Sequence, residues 1–398
     1  MVKLIASYIL VLFCLVKGKA QPLTLKSASE AINYALEHSA EVKVEALRFK
    51  QAEIFGKTAY NIDKTRFFYS FDENNIASNE YPIYVIGLSQ SFLFPTIYAK
   101  QRRVLDQESL MAEAQFDRVK RQTARMAAMA FEKCQYQYRR LKWLEKSDSL
   151  YSHVLLAAEA RVRASESSEI ERLSIKNIRS RCGLQLNEAI TELEATKREL
   201  KQILQIETDF EVKIIEAEKV IWKADTLQEP GAAYYKAALE RSRQLAKLEG
   251  HKMLPDFEIS WFGGTNQQTD ARWLNGIQFG IGIPIWFVEQ KARKQAALLQ
   301  LEQTGIEENA YKLAYDVKAL NLQTRLTSYL RRLNQYESEG IILKKSLFSM
   351  ASLALKTGEI DILRLLPIYQ QALDLEHQYA QDLFEYNSLV YELIFFTL

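Results

Sequence analysis

Tyr84-Val85-Ile86-Gly87-Leu88-Ser89-Gln90-Ser91-Phe92-Leu93-Phe94 returns 193 residues later as Ile277-Gln278-Phe279-Gly280-Ile281-Gly282-Ile283-Pro284-Ile285-Trp286-Phe287. Tyr84, Ile86, Leu88, Phe92 and Phe94 fall on Ile277, Phe279, Ile281, Ile285 and Phe287. In the alternate register, Gly87 and Ser89 fall on Gly280 and Gly282. Successive side chains of a strand point to opposite faces, so each copy presents one bulky apolar face and one face of small residues. A soluble sheet meets a core that way, and a membrane barrel meets lipid that way. The segments around the strands separate the two.

The first twenty residues read as a secretory leader. Lys3 precedes an apolar core from Leu4 to Val16, and Gly18-Lys19-Ala20 forms a small-x-small cleavage site. That core is too short to span a bilayer comfortably, and no later stretch offers about 18 consecutive apolar residues. An exported chain of this kind inserts into a membrane only through strands. The formal charge of +2 drops to about −1 when Lys3, Lys17 and Lys19 leave with the leader, which argues against a nucleic-acid partner. Cys134 and Cys182 remain, both in helical stretches. Core thiols are the favoured reading, and a disulfide requires the two stretches to be antiparallel neighbours.

Between Pro95 and Gly183 there is neither proline nor glycine. Such a stretch lacks the usual helix punctuation. Within it Ala127, Phe131, Cys134, Tyr138, Leu141 and Leu144 keep the three-to-four spacing of a packed seam. Ala310, Leu313, Val317, Leu320 and Leu322 begin a comparable seam after the second hairpin. Each long stretch has one break, at Arg163-Ala164-Ser165-Glu166-Ser167-Ser168 and at Lys356-Thr357-Gly358-Glu359-Ile360-Asp361. Both suit a tight helix–helix turn with a capped restart.

The chain is therefore expected to be mainly α with a small β part, built as a duplicated helix–hairpin–long helix–helix repeat. The leader covers 1–20 and the first repeat 21–209, with its hairpin over 66–94 and its tip near 163–169. An equatorial segment spans 210–230, as a girdle of irregular or strand structure. The second repeat covers 231–398, with its hairpin over 256–287 and its tip near 356–361. Opening helices are expected over Ser27–Tyr60 and Tyr234–Lys252. A descending helix of about 65 residues is on the order of 100 Å long at 1.5 Å per residue.

Four strands cannot close a barrel, and open edges in lipid leave backbone groups unpaired at high cost. Small barrels begin at about eight strands. Assembly is thus a physical requirement, and three chains supply twelve strands.

This pattern resembles the TolC-type outer-membrane efflux protein family over essentially the whole mature chain. The resemblance rests on Leu23-Thr24-Leu25 followed by Ala31 and Ala35, on the two strand segments from Gly87 and Gly280, on Leu254-Pro255-Asp256-Phe257, and on Thr357-Gly358-Glu359-Ile360-Asp361-Ile362-Leu363. It implies a homotrimer whose twelve-stranded β-barrel lies in outer-membrane lipid and continues into an α-helical coiled-coil barrel across the periplasm. It also implies docking to an inner-membrane pump through a periplasmic adaptor (membrane fusion) protein. The chain's short length suits the heavy-metal efflux branch. Glu166 stands where the family often has a tip glycine, and Arg163 and Leu355 stand where it often has tyrosine.

The lipid-facing positions are then Phe67, Tyr69, Phe71, Tyr84, Ile86, Leu88, Phe257, Ile259, Trp261, Ile277, Phe279, Ile281 and Ile283, with Trp273 and Trp286 as interfacial aromatics. A soluble sheet core has the same alternation, but the leader and long helices favour lipid. Gly87, Ser89, Ser91, Gly280 and Gly282 face the lumen. Glu166, Glu169, Glu359 and Asp361 sit at the tips with Gly358, and three-fold repetition would make them acidic rings that favour cations. Their simpler role is helix capping. Arg161 and Arg163 lie one turn before the first-tip acids and are candidates to pair with tip carboxylates and hold the tip closed, which makes this region the expected gate and adaptor-docking site.

His38, His153, His251 and His377 are scattered, none at ligand spacing with another His or Cys, so no metal site is expected. No nucleophile–base motif or phosphate loop is present, and neither catalysis nor a cofactor is expected. The reading is a passive exit duct of a tripartite efflux system for metal cations or small toxic compounds. Two alternatives remain: the duct of a type I protein-secretion system, and a soluble periplasmic coiled-coil adaptor. The adaptor would bring a lipoyl-like domain that the sequence lacks, and it has no use for the duplicated hairpins.

Overall fold

The computed structural model describes residues 23–73, 81–215, 218–222, 230–266, 268–357 and 360–396. The expected leader at 1–20, Gly358, Glu359 and parts of the equatorial segment lie outside the described residues.

The chain opens with strand β1 (Leu23–Leu25), helix α1 (Ala28–His38) and helix α2 (Ala40–Phe55), which ends in a 3₁₀ turn over Gly56–Tyr60. Strands β2 (Arg66–Asp72) and β3 (Ile83–Phe92) lead into α3 (Pro95–Arg163), and α4 (Glu169–Leu204) returns to β4 (Phe210–Val212). The second copy runs α5 (Pro230–His251), β5 (Asp256–Thr265), β6 (Leu274–Gly282), α6 (Val288–Gln335), a π-turn (Tyr336–Gly340), α7 (Ile341–Lys356) and α8 (Ile362–Ile394).

Three local outcomes depart from the sequence reading. The opening helix is broken at Ser39, whose backbone is non-helical and whose N–H bonds to Ala35 O. α2 restarts with Gln205 Oε1 accepting from Ala40 N at 2.9 Å, a cap supplied from far along the chain. β6 ends at Gly282 rather than Phe287, because Pro284 cannot donate to a ladder. The seam begun at Ala310 is not packed within the chain. Leu313, Val317 and Leu320 are exposed and, of the seam's leucines and valine, only Leu322 is buried, since no described residues cover this face.

Two compact units divide the residues. One contains Lys43–Val119 and Thr226–Lys318. Its sheet has the order β2-β3-β5-β6 with all neighbours antiparallel. Below the strands, Ile97, Val104 and Leu248 form a small core. Buried Ser242 and Thr304 meet hydroxyl to hydroxyl at 3.1 Å, and Arg241 Nε donates to Glu108 at 2.8 Å.

The other unit contains Met1–Val42, Lys120–Asp225 and Ala319–Phe396. β1 and β4 pair in parallel, Leu23 to Phe210 through Leu25 to Val212. They close over Leu25, Phe131, Cys134, Leu200 and Leu204, most of them fully buried. A second core gathers Leu144, Tyr151, Ala158, Ile175 and Cys182. Both cysteines are free and buried, and they sit in different cores. Burial pushes the Cys134 thiol up to about 11.

The equatorial segment is tied to helices by two side-chain amides. Gln135, 1 % exposed, donates to Lys213 O at 2.7 Å and accepts from Ile215 N at 3.2 Å. Asn387 donates to Glu218 O at 3.0 Å and accepts from Val220 N at 2.9 Å. Each amide completes the backbone bonding of an irregular segment, as a neighbouring strand would.

Candidate strand faces and helical tips

Register fixes which side chains share a face. Phe67 pairs with Leu88, Leu88 with Trp261, and Trp261 with Ile277. Adjacent rows add Tyr69 with Ile86, Phe71 with Tyr84, Ile259 with Phe279, and Phe257 with Ile281. The strand residues of the expected lipid face therefore lie on one side of the sheet. Phe67, Ile277 and Phe279 are 68, 67 and 77 % exposed. Beyond β6, Ile283, Ile285, Trp286 and Val288 are also exposed. So wide an apolar patch on a water-soluble surface would drive association.

The opposite side carries Gly87, Ser89, Ser91, Gly280 and Gly282, in rows with Arg66, Glu258, Ser260 and Gln278. It also carries two aromatic rings that the alternation did not reveal. Phe68 pairs with Gly87, and Phe262 pairs with Gly276. A Cβ added at Gly87 would meet Phe68 Cζ at 2.3 Å, and one at Gly276 would meet Phe262 Cζ at 2.5 Å. Each glycine is the floor on which a cross-strand ring lies, so these small residues are filled over by aromatics. On the apolar side, Trp273 covers Gly263 in the same way. Its Nε1 donates to Asn275 Oδ1 at 3.1 Å. Gln90, another polar residue on that side, donates to Asp63 O and accepts from Thr65 Oγ1, each at 2.7 Å.

At the first tip, the last turn of α3 closes by Glu166 N to Arg161 O at 2.8 Å and Ser165 N to Val162 O at 3.0 Å. This pair of bonds needs a left-handed residue, and Ser165 supplies it at φ 61°. The glycine-like position is thus Ser165 and not Glu166. Ser168 caps α4 by accepting from Glu171 N at 3.3 Å, and the Ser167 hydroxyl donates to the Glu171 carboxylate. Glu169 bonds Arg172 on its own helix, and that donor holds its carboxyl below the usual range.

Across the two tips, Arg161 Nη1 donates to Asp361 Oδ1 at 2.9 Å. Asp361 O receives the N–H groups of Arg364 and Leu365, so the residue also starts α8. Arg163 and Glu166 are exposed. The structure thus joins one expected arginine to one expected acid and gives Glu169 a local partner. Among the described residues, no group of three His, Cys, Asp or Glu side chains is placed to hold a metal, and no helix is long and apolar enough to cross a membrane.

No protein-family model matches the chain, and no curated protein matches its sequence. Solved structures do. CusC, studied for folding and transmembrane channel formation, aligns with a TM-score of 0.77 at 14 % identity, covering 94 % of this chain and 92 % of that one. A membrane protein from Pseudomonas aeruginosa gives 0.77 at 9 % identity, over 92 % and 89 % of the two chains. The outer membrane protein VceC from Vibrio cholerae gives 0.75 at 14 % identity, over 92 % and 95 %. Such likeness over nearly full lengths establishes the fold, and fold alone does not carry function. The chain has the architecture of the TolC-type outer-membrane channels.

Proposed function

We propose that this protein is an outer-membrane channel, the passive exit duct of a tripartite efflux system. Three copies pair their β2 and β6 edges to close a twelve-stranded barrel, which removes the exposed edges of each four-stranded sheet. The single observation that carries this reading is the one-sided apolar sheet, from Phe67 through Leu88 and Trp261 to Ile277, exposed along both edge strands and the strands between. Lipid satisfies that face and water does not. The same face counts against the soluble adaptor, which would leave it bare.

In the assembled duct the face of Ser89, Ser91, Gly280 and Gly282 lines the lumen, with Phe68 and Phe262 narrowing it. The second repeat's helices supply the inter-subunit seam. Leu299, Ile306, Leu313 and Leu320 recur every seven residues on α6 and are 58 to 68 % exposed, the spacing of a coiled-coil contact. The helical tips form the gate and the adaptor-docking surface, with Arg161 and Asp361 as its latch. The chain needs no catalysis, because an inner-membrane pump supplies the energy, and its acidic tips favour cationic or small toxic cargo.

Planar-bilayer recording of purified protein tests the duct. Stepwise conductance with a preference for cations is expected, and electrically silent bilayers at saturating protein would contradict it.

A further inference from the structure

A cavity of about 520 Å³ lies between α3, α7 and α8, beside the equatorial segment. Its volume is in the range of small-molecule sites. Five cationic side chains line it (Arg139, Lys142, Lys146, Lys344 and Lys345) against the single carboxylate of Glu376. Glu376 bonds Lys146 at 2.9 Å and Lys344 at 2.7 Å, and Lys142 bonds Glu145 at 2.7 Å. Those three ammonium groups are therefore matched inside the protein.

Arg139 is not fully matched. Its Nη2 makes a long bond to Ile215 O at 3.4 Å, while Nη1 is buried and has no hydrogen-bond partner among the described residues. An unsatisfied donor on a buried cation is costly, and although the Glu132 charge acts on this guanidinium, no described residue accepts from Nη1, which leaves it suited to an oxyanion. Burial also pushes the guanidinium down from its ordinary range, the sign of a cation short of solvation.

The remaining wall is aromatic. Trp143 donates its indole N–H to Leu373 O at 2.9 Å, which fixes the ring, and His377 stacks on it at 4.3 Å. Tyr336 and Tyr379 stack at 4.4 Å and close another side. Tyr336 is placed by the π-turn over Tyr336–Gly340, where a Cβ on Gly340 would meet its ring at 2.6 Å. Single π-turns inside long helices occur frequently at functional sites.

We propose that this cavity is a binding site for amphipathic organic anions, with a carboxylate or phosphate head on Arg139 and Lys345 and an aromatic body between Trp143 and Tyr336. The site belongs to one unit of a single chain and does not depend on the channel reading. A bidentate guanidinium–oxyanion contact supplies orientation, and the rings supply most of the buried area. A metal cation is excluded by the charge of the same wall.

Equilibrium dialysis of 1-naphthoate, 1-naphthyl phosphate and 1-naphthylmethylammonium against the full mature protein in non-ionic detergent, with protein-free micelles as reference, tests the site. Saturable binding of one naphthoate or naphthyl phosphate per chain is expected, and their ratio decides between carboxylate and phosphate. The ammonium analogue should not compete. R139Q should weaken anion binding by about tenfold or more, as loss of a charged hydrogen bond implies. K345S, at an exposed position, should weaken it several-fold and keeps the test valid if R139Q fails to fold. Absence of saturable binding, equal binding of the ammonium analogue, or an affinity unmoved by K345S and by a folded R139Q would overturn the proposal.

Discussion

Arg161 and Asp361 stand 200 residues apart in sequence and meet at 2.9 Å, the former in the last turn of one long helix and the latter at the start of another. Their side chains are 36 and 48 % exposed, so the pair is screened by water and salt. It is worth about 0–1 kcal/mol. As the proposed latch, a pair of that strength would hold a tip closed without locking it.

R161S therefore shifts the tip toward opening by a modest factor, up to about fivefold per chain from the upper end of that range. Combining it with R163S tests both arginines that precede the tip acids. Mean single-channel conductance or open probability should rise for R161S, and more at low salt than at high salt. Unchanged leakage in both variants would remove the latch from the account.

Ser165 holds a left-handed backbone at φ 61° in the turn that ends α3. Glycine adopts that region without steric cost, whereas an L-residue is disfavoured there by roughly 1 kcal/mol. S165G should stabilise the protein by up to about 0.5 kcal/mol after the extra freedom of the unfolded chain is subtracted. A lower thermal midpoint for S165G would show that the turn relaxes elsewhere.

The Phe262–Gly276 contact gives a prediction with an internal control. G276A drives a methyl into the ring and should cost about 1–3 kcal/mol as overpacking. F262A removes the ring, so the double variant should be less destabilised than the sum of the single changes. Strict additivity in a double-mutant cycle would mean that the two residues do not interact.

Glu132 sits buried at 6 % exposure, with Asn387 Nδ2 donating to it at 3.3 Å. Burial pushes its carboxyl up, and the Asn387 hydrogen bond and the Arg139 charge offset part of that rise. The folded chain therefore keeps this proton to higher pH than the unfolded chain, where release is centred near 4.5. The group's stabilising contribution is complete below that value and is lost as pH rises through the folded-state pKa. Glutamine mimics the protonated form. E132Q should melt above wild type at pH 8 and lose that advantage near pH 4.5, and a pH-independent difference would refute the assignment.

Much of the architecture was legible because two periods were written twice. Alternation in Tyr84–Phe94 and Ile277–Phe287 gives strand faces directly, and the absence of Gly and Pro between Pro95 and Gly183 leaves long helices on either side of the serine-rich break at 163–168 as the simplest outcome. Other features depend on residues brought together only by folding. Phe68 and Phe262 sit among polar and small neighbours, and their role follows from cross-strand partners that no local period names. At the Ser39 break the serine hydroxyl is a local cap, accepting from Val42 N at 3.4 Å, and only the second cap, Gln205 on Ala40 N, comes from far along the chain. The seam at Leu313 and Leu320 was visible as a period, but periodicity does not say whether the partner is the same chain or another. The cavity at Arg139 draws on three helices and a π-turn, and nothing local in Tyr336–Gly340 announces that extra residue.

Fractionation of cells expressing the full-length protein, with boiled and unboiled outer-membrane samples compared by electrophoresis, tests the trimeric barrel itself. A heat-dissociable species near three times the mass of the single chain, confined to the outer-membrane fraction, is expected. A soluble periplasmic monomer would contradict the barrel, since the exposed face from Phe67 to Ile277 would then have to be covered by something other than lipid.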